Sequence, residues 1–117
     1  MLWIAASAVW QKAINGRAPQ TLASQERTVI DVRRAMEWDE GHVPGARHIY
    51  LGDLVDQTKD LPRDLPIALH CQGATRASIA ASLLQKAGFT NVANLTGGYR
   101  AWTEAGLPVE RDSSASR

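Results

Sequence analysis

Cysteine, phenylalanine and an excess of charge of either sign are all scarce in this chain of 117 residues. The single cysteine, Cys71, excludes an intrachain disulfide and a metal site built from several cysteines. The 13 Lys and Arg residues nearly balance the 12 Asp and Glu residues, which gives a net charge of +1. This balance provides no bulk attraction to nucleic acid or to an anionic membrane, so we expect neither as a partner.

Long apolar runs are also missing. The longest, over residues 1–10, contains a serine and has about half the length that a membrane-crossing helix needs. It is short for a signal peptide as well, and no basic stretch precedes it. The sequence therefore predicts no membrane span, and its lone thiol favours a reducing compartment, the cytoplasm.

The composition that remains is that of one ordinary globular domain. Hydrophobic residues make up 44% of the chain and charged residues 21%, and its length fits a single domain. We expect an apolar N-terminal helical extension over residues 1–13, the domain itself over residues 14–110, and a flexible, serine-rich tail over residues 111–117.

Short apolar runs alternate with helical patterns from residue 28 onward. The patterns predict strands over residues 28–32, 46–50, 66–70 and 91–95, and helices over residues 34–40, 51–59, 75–87 and 99–105. This alternation predicts an α/β fold in which helices cover both faces of a parallel sheet. Ligands bind such sheets beyond the carboxyl ends of their strands, so the turn that follows residues 66–70 is the expected site.

The N-terminal segment has two interpretations that the sequence leaves open. Helical spacing puts four apolar side chains on one side and three others beside them: Leu2, Ala6, Val9 and Ala13, with Trp3, Trp10 and Ile14. Such a helix could pack on its own domain, or its tryptophans could form an apolar surface for a protein partner.

The expected site contains the only cysteine, in the sequence Cys71-Gln72-Gly73-Ala74-Thr75-Arg76. A tight loop of small residues can point successive backbone N–H groups inward, and the following helix adds its own N–H groups and the positive end of its dipole. Gly73 is expected to remove side-chain bulk where the backbone curls. These donors, together with Arg76, favour the thiolate of Cys71 and would hold an anionic substrate against it. The alternative is that Cys71 is a small buried hydrophobic residue.

Motifs on both sides of this turn occur in a recognisable order. Upstream stand Asp31-Val32-Arg33, Glu37-Trp38 and Gly41-His42-Val43-Pro44-Gly45-Ala46, and downstream stands Leu95-Thr96-Gly97-Gly98-Tyr99-Arg100-Ala101-Trp102. Together they resemble the single-domain rhodaneses, a sulfurtransferase family, over about residues 28–109. The resemblance implies a three-layer α/β fold with a parallel five-stranded sheet between helices. Its first strand would fall around residues 13–15.

The resemblance also implies a reaction. Cys71 would take the outer sulfur of a donor such as thiosulfate, hold it as a persulfide, and pass it to cyanide or a thiol acceptor, with no metal or other cofactor. Four residues separate Cys71 from Arg76, which resembles the length of sulfur-handling loops and is one residue shorter than in related phosphatases. Gln72 and Gly73 stand where many thiosulfate-preferring members have basic residues, so the donor stays open. The alternative function is a sulfur-relay or regulatory binding module with little turnover of free substrates.

Several residues near the expected site have two interpretations. Arg33 follows a strand on the rim of the same cleft, where it could hold the anionic donor or form an ion pair with Asp31 or Glu37. His70 neighbours Cys71 on a strand and is expected to point to the opposite face and to pack rather than act as a base. Three further expectations are structural: His42 braces a turn, Trp38 and Trp102 belong to the core, and Gly97-Gly98 form a tight turn close to the active loop.

Overall fold

The computed structural model describes residues 10–12, 27–95 and 97–111. The strands are β1 (Trp10–Lys12), β2 (Thr28–Asp31), β3 (Arg47–His48), β4 (Ile67–His70) and β5 (Val92–Leu95). The helices are α1 (Ala35–Glu40), α2 (Leu54–Thr58), α3 (Thr75–Lys86) and α4 (Gly98–Glu104), and a short 3₁₀ turn, Leu51–Asp53, leads into α2. Every strand and helix that the sequence predicts from residue 28 onward is present.

The five strands form one sheet in the order β1-β5-β4-β2-β3. Strands β2 to β5 are parallel to one another, whereas β1 runs antiparallel to β5. The expectation of an all-parallel five-stranded sheet is therefore wrong in its edge strand. Mixed sheets of this kind, with an antiparallel strand added at one edge, are common among α/β folds.

The edge strand also corrects the helix expected over residues 1–13. Within that segment, Trp10, Gln11 and Lys12 pair with Leu95, Asn94 and Ala93 of β5 instead of continuing a helix. A free sheet edge offers unpaired N–H and C=O groups, and β1 satisfies those of β5. The remaining residues of the segment, including Trp3, and most of the tail over residues 111–117 lie outside the described residues. The expectation of a partner surface there stays a prediction.

Two core layers cover the two faces of the sheet. Alternate residues of β4 show the separation, because Ile67 and Leu69 belong to one buried cluster and Ala68 between them belongs to the other. The first layer includes Leu54 of α2 and the buried face of α3, and the second includes Trp102 of α4, which is fully buried. The parallel strands β2 to β5 all end at the same edge of the sheet, between these two layers. The loop that contains Cys71 follows β4 at this edge.

None of the helices within the described residues has both the length and the apolar character to cross a membrane.

Candidate active site

Cys71 is the first residue after β4 and lies under the N-terminus of α3. The residue is only 1% exposed, and its Sγ accepts a hydrogen bond from the backbone N–H of Ala77 at 3.3 Å. The first N–H groups of a helix have no partner within the helix, and the helix dipole places partial positive charge there. The sulfur therefore lies where negative charge on it is stabilised by a neutral donor.

The predicted loop residues lie together in this turn. Gln72, Gly73 and Ala74 connect β4 to α3, while Thr75 and Arg76 begin the helix. The expected role of Gly73 is not supported, because a Cβ at this position would meet no atom within 4 Å. The hydrogen bond from the Ala77 N–H agrees with the expectation that the start of the helix supplies N–H groups to Cys71, although residue identity alone did not show which N–H group it would be.

The guanidinium of Arg76 binds a carboxylate of helix α1. Its Nη1 and Nη2 donate to the two carboxylate oxygens of Glu37 at 2.7 and 3.0 Å. This hydrogen bond, against a smaller opposing effect of burial, lowers the pKa of Glu37 to about 2. The same bond raises the pKa of Arg76, with a lesser contribution from the charge of Cys71. The charge of Arg76 is therefore already paired with Glu37.

The first turn of α4 holds the Cys71 loop from the other side. The N–H groups of Tyr99 and Arg100 donate to the carbonyl oxygens of Cys71 and Gln72 at 2.8 and 3.1 Å. Gly98 precedes them in the left-handed region, at φ 66°, and a Cβ there would overlap the carbonyl oxygens of three loop residues. The expectation of a tight Gly97-Gly98 turn near the active loop is confirmed, and the backbone of Gly98 is the element that allows the close approach.

Arg33 forms a buried ion pair with Asp31. Its Nε and Nη2 donate to the Asp31 carboxylate at 2.8 to 3.0 Å, and Nη2 also donates to the Gly41 carbonyl at 2.7 Å. Both side chains are buried, at 2% and 0% exposure. The Asp31 pairing is thus the alternative that the structure adopts, and the Arg33 side chain, at 2% exposure, is not accessible to an anionic donor. Its Nη1 points to Gln72 Oε1 at 3.4 Å, which joins the pair to the loop.

His70 and Tyr99 extend this buried cluster. The guanidinium carbon of Arg33 lies 4.3 Å from the Tyr99 ring centroid, and the His70 ring stacks on Tyr99 at 6.3 Å. His70 is fully buried, its Nε2 lies 3.6 Å from Asp31, and burial lowers its pKa. As expected, His70 packs within the protein rather than against the Cys71 sulfur.

Aromatic stacking braces the turn between α1 and β3. Trp38 and His42 stack in parallel with ring centroids 3.5 Å apart, and His42 Nδ1 donates to the Trp38 carbonyl at 3.1 Å. Trp38 also stacks on His48, whose Nε2 donates to the Arg33 carbonyl at 2.6 Å. His42 has the bracing role expected of it, whereas Trp38 is only half-buried and does not belong to either core cluster.

An open groove of about 490 Å³ borders the loop. Arg76 and Glu37 form one side of it, and Met36 and Tyr50 contribute its apolar surface; Arg34 and Glu40 complete the lining. Among the described residues, no group of three or more His, Cys, Asp or Glu side chains is arranged to hold a metal ion.

Comparison with known proteins identifies this arrangement. Residues 15–105 match the family model described as "Rhodanese-like domain". The chain belongs to this family. The resemblance drawn from the motifs is confirmed, and Cys71 occupies the loop between β4 and α3 of a rhodanese-like domain.

Relatives of this rhodanese-like domain agree with the assignment. A rhodanese-like domain from Anabaena sp. superposes with a TM-score of 0.68 at 36% identity, covering 73% of this chain and 99% of that one. "Thiosulfate sulfurtransferase GlpE" of Pseudomonas fluorescens is 29% identical over 91% of this chain and 96% of its own length. "Putative sulfur carrier protein YrkF" of Bacillus subtilis is 32% identical over 69% of this chain, which spans 44% of that protein.

The fit of Gly98 against the loop predicts a position-specific effect of alanine. Gly98→Ala should destabilise the rhodanese-like domain by about 2 kcal/mol, because it forces an alanine into the left-handed region and pushes its Cβ against three carbonyl oxygens. Gly73→Ala is the matched control and should change the free energy of unfolding by less than about 1 kcal/mol. Urea unfolding of both variants measures the difference. Equal effects would show that the close approach of α4 is not a constraint.

The Glu37–Arg76 pair predicts a pH-dependent contribution to stability. Because the pKa of Glu37 falls from 4.5 to about 2 on folding, its contribution is complete above pH 4.5 and disappears as the pH falls towards 2. Glu37→Gln should cost about 0.5 to 1 kcal/mol at neutral pH, since both side chains are partly exposed. Urea unfolding should show this cost shrinking with acidity. A cost independent of pH, or an equal cost in an Arg76→Gln background, would contradict the pairing.

Proposed function

We propose that this rhodanese-like domain is a sulfurtransferase that carries a sulfane sulfur as a persulfide on Cys71. The observation that supports this most directly is the Ala77 N–H, which donates to Sγ at 3.3 Å from the first turn of α3. The Cys71 thiolate carries its negative charge on Sγ, where this fixed N–H donor stabilises it without needing a countercharge. The persulfide carries its charge on the outer sulfur, which the other backbone N–H groups of the loop would stabilise. The sulfurtransferase and sulfur-carrier names among the relatives point in the same direction.

The reaction consists of two half-reactions. With thiosulfate as donor, the Cys71 thiolate attacks the outer sulfur, a new S–S bond forms, the old S–S bond breaks, and sulfite leaves with the electron pair. In the second half, cyanide or a thiolate attacks the outer sulfur of the persulfide and releases Cys71 as thiolate. Neither half-reaction needs a cofactor. A reducing compartment such as the cytoplasm would suit this chemistry, because the only cysteine must remain free of disulfides.

The size of the loop supports sulfur rather than phosphate chemistry. Four residues lie between Cys71 and Arg76, and the carbonyl oxygens of the first two residues of this turn are tied to α4. The sulfur is almost completely covered, so a donor must reach it with one slim terminal atom. We expect negligible hydrolysis of aryl phosphates, whose tetrahedral phosphorus needs donors around three oxygens.

A second candidate function is a sulfur relay between proteins. Two observations favour it: the low exposure of Cys71, and the relative that bears the name of a putative sulfur carrier. A relay uses the same Cys71 persulfide, but it would accept and deliver sulfur slowly with free small molecules. The two functions therefore share the first half-reaction and differ in turnover.

Substitution of the nucleophile tests the proposal. Wild-type protein mixed with thiosulfate or a small persulfide should gain the mass of one sulfur atom, and cyanide or a thiol should remove it. Cys71→Ser should show no gain and no turnover, because a serine hydroxyl is not ionised at neutral pH. Intact-mass spectrometry measures the gain, and thiocyanate formation measures turnover.

The controls separate the candidate functions. Thermal unfolding of Cys71→Ser should match that of the wild type and show that the fold is intact. Loading of sulfur without appreciable turnover would favour the relay. Absence of loading with every sulfane donor, or ready hydrolysis of an aryl phosphate, would refute both.

A further inference from the structure

The charges beside Cys71 bear on which sulfur donor this site accepts. Two arginines lie at the active loop. Arg76 belongs to the first turn of α3, and Arg33 Nη1 lies 3.4 Å from Gln72 Oε1. Each is already neutralised by a carboxylate, Arg76 by Glu37 at 2.7 and 3.0 Å and Arg33 by Asp31 at 2.8 Å. The two arginines therefore contribute no net positive charge to attract an anion.

Within residues 27–95 and 97–111, two other arginines lie near the groove or the loop, and neither replaces the paired ones. Arg76 is the only charged side chain among residues 71–76. Arg34 lines the groove and Arg100 follows Tyr99 on α4, but both side chains are exposed, where solvent and salt screen their charge. The groups that stabilise charge on Cys71 are thus backbone dipoles such as the Ala77 N–H.

The surface next to the loop suits an organic group. The groove of about 490 Å³ begins at Arg76, and the side chains of Met36 and Tyr50, at 74% and 41% exposure, offer apolar contacts in it. The sulfite portion of thiosulfate has no apolar surface to place there. The carbon chain of an organic persulfide does, so it would bury apolar area that thiosulfate lacks.

We propose that the preferred donor is a singly charged organic persulfide, R–S–S⁻, rather than the doubly charged thiosulfate ion. This inference rests on the proposed function and specifies its donor. The Cys71 thiolate attacks the outer sulfur, the S–S bond of the donor breaks, and R–S⁻ leaves with the electron pair, so that one negative charge remains on each product. Repulsion between the thiolate and a dianion is twice that with a monoanion, and the paired arginines do not offset it.

Release of Arg76 from its carboxylate provides the decisive test. Glu37→Gln keeps an oxygen for the Arg34 N–H, which donates to Glu37 at 3.0 Å, but removes the charge that neutralises Arg76. It should raise the rate of Cys71 loading by thiosulfate, relative to loading by the persulfide of β-mercaptoethanol, by about tenfold at low salt. The gain should shrink as salt is added, since Arg76 is partly exposed.

Two further variants separate charge from structure. Glu104→Gln makes the same chemical change on the exposed end of α4 and should leave the ratio of the two loading rates unchanged. In Glu37→Gln/Arg76→Gln the released cation is removed again, so the ratio should return to that of the wild type. If Glu37→Gln instead disrupted the fold, the loading rates of both donors would fall. The second substitution, Arg76→Gln, would not restore them.

The last measurement compares thiosulfate with the organic persulfide on the wild-type protein. Each rate of Cys71 loading is divided by the rate at which the same donor transfers sulfur to a small free thiol, which corrects for the donor's own reactivity. After this correction the organic persulfide should load Cys71 at least about tenfold faster than thiosulfate. If thiosulfate loads equally well and Glu37→Gln leaves the ratio unchanged, the inference is wrong while the sulfurtransferase function stands. If neither donor loads Cys71, the proposed function itself fails.

Discussion

The arrangement of the active loop depends on the backbone contact between α4 and the turn after β4. A peptide unit is planar and carries its N–H opposite its C=O. When α4 binds the carbonyl oxygens of Cys71 and Gln72, the N–H groups of the same two peptide units, those of Gln72 and Gly73, point away from α4. The direction of the loop donors is thus set by a helix on the other side of the loop. This contact requires Gly98, because any side chain there would separate the two backbones.

The buried cluster around Arg33 also stabilises the contact between α4 and the turn after β4. Asp31 ends β2, Arg33 leaves it, and Tyr99 belongs to α4, so the ion pair and the ring contact join the sheet to the helix that holds the loop. Loss of one partner of a buried ion pair costs about 3 to 5 kcal/mol, because the other charge stays buried and unpaired. We therefore regard Arg33 as a residue that positions the loop through Gln72 and Tyr99.

Local sequence patterns predicted most of the fold and the position of Cys71 between a strand and a helix. Strands β2 to β5 and helices α1 to α4 depend on periodicity and on Gly and Pro breaks, which are properties of neighbouring residues. Strand β1 could not be found in this way, because its pairing with β5 joins residues more than eighty positions apart. The apolar periodicity of the first residues favoured a helix, but at residues 10–12 the open edge of β5 decided the conformation.

The ion pair of Arg33 with Asp31 was among the alternatives that the sequence offered, but the orientation of α3 and the partner of Arg76 were not. Helical spacing of the apolar residues of α3 favours a buried stripe that includes Ile79, Ala80, Leu83, Leu84 and Ala87. In the structure Ile79 is 46% exposed, and the buried residues of α3 are Ala77, Ala80, Ala81 and Leu84. The N-terminus of the helix is fixed at the Cys71 sulfur, which sets its rotation, and small alanines let it lie close to the sheet. For the same reason Arg76 follows the rotation of the helix towards Glu37, a residue thirty-nine positions away.

Around Cys71, the neutral backbone N–H groups and the charged arginine side chains therefore have different roles. The backbone N–H of Ala77 stabilises negative charge on the Cys71 Sγ. The arginines, which could have attracted any anion, are bound to carboxylates and connect elements instead: α3 to α1 through Glu37, and β2 to the loop through Arg33. Under the proposed function, a site arranged in this way would stabilise its intermediate without attracting small anions in general. Its selectivity would then depend on the donor's own charge and on the part of the donor that lies in the groove beside Arg76.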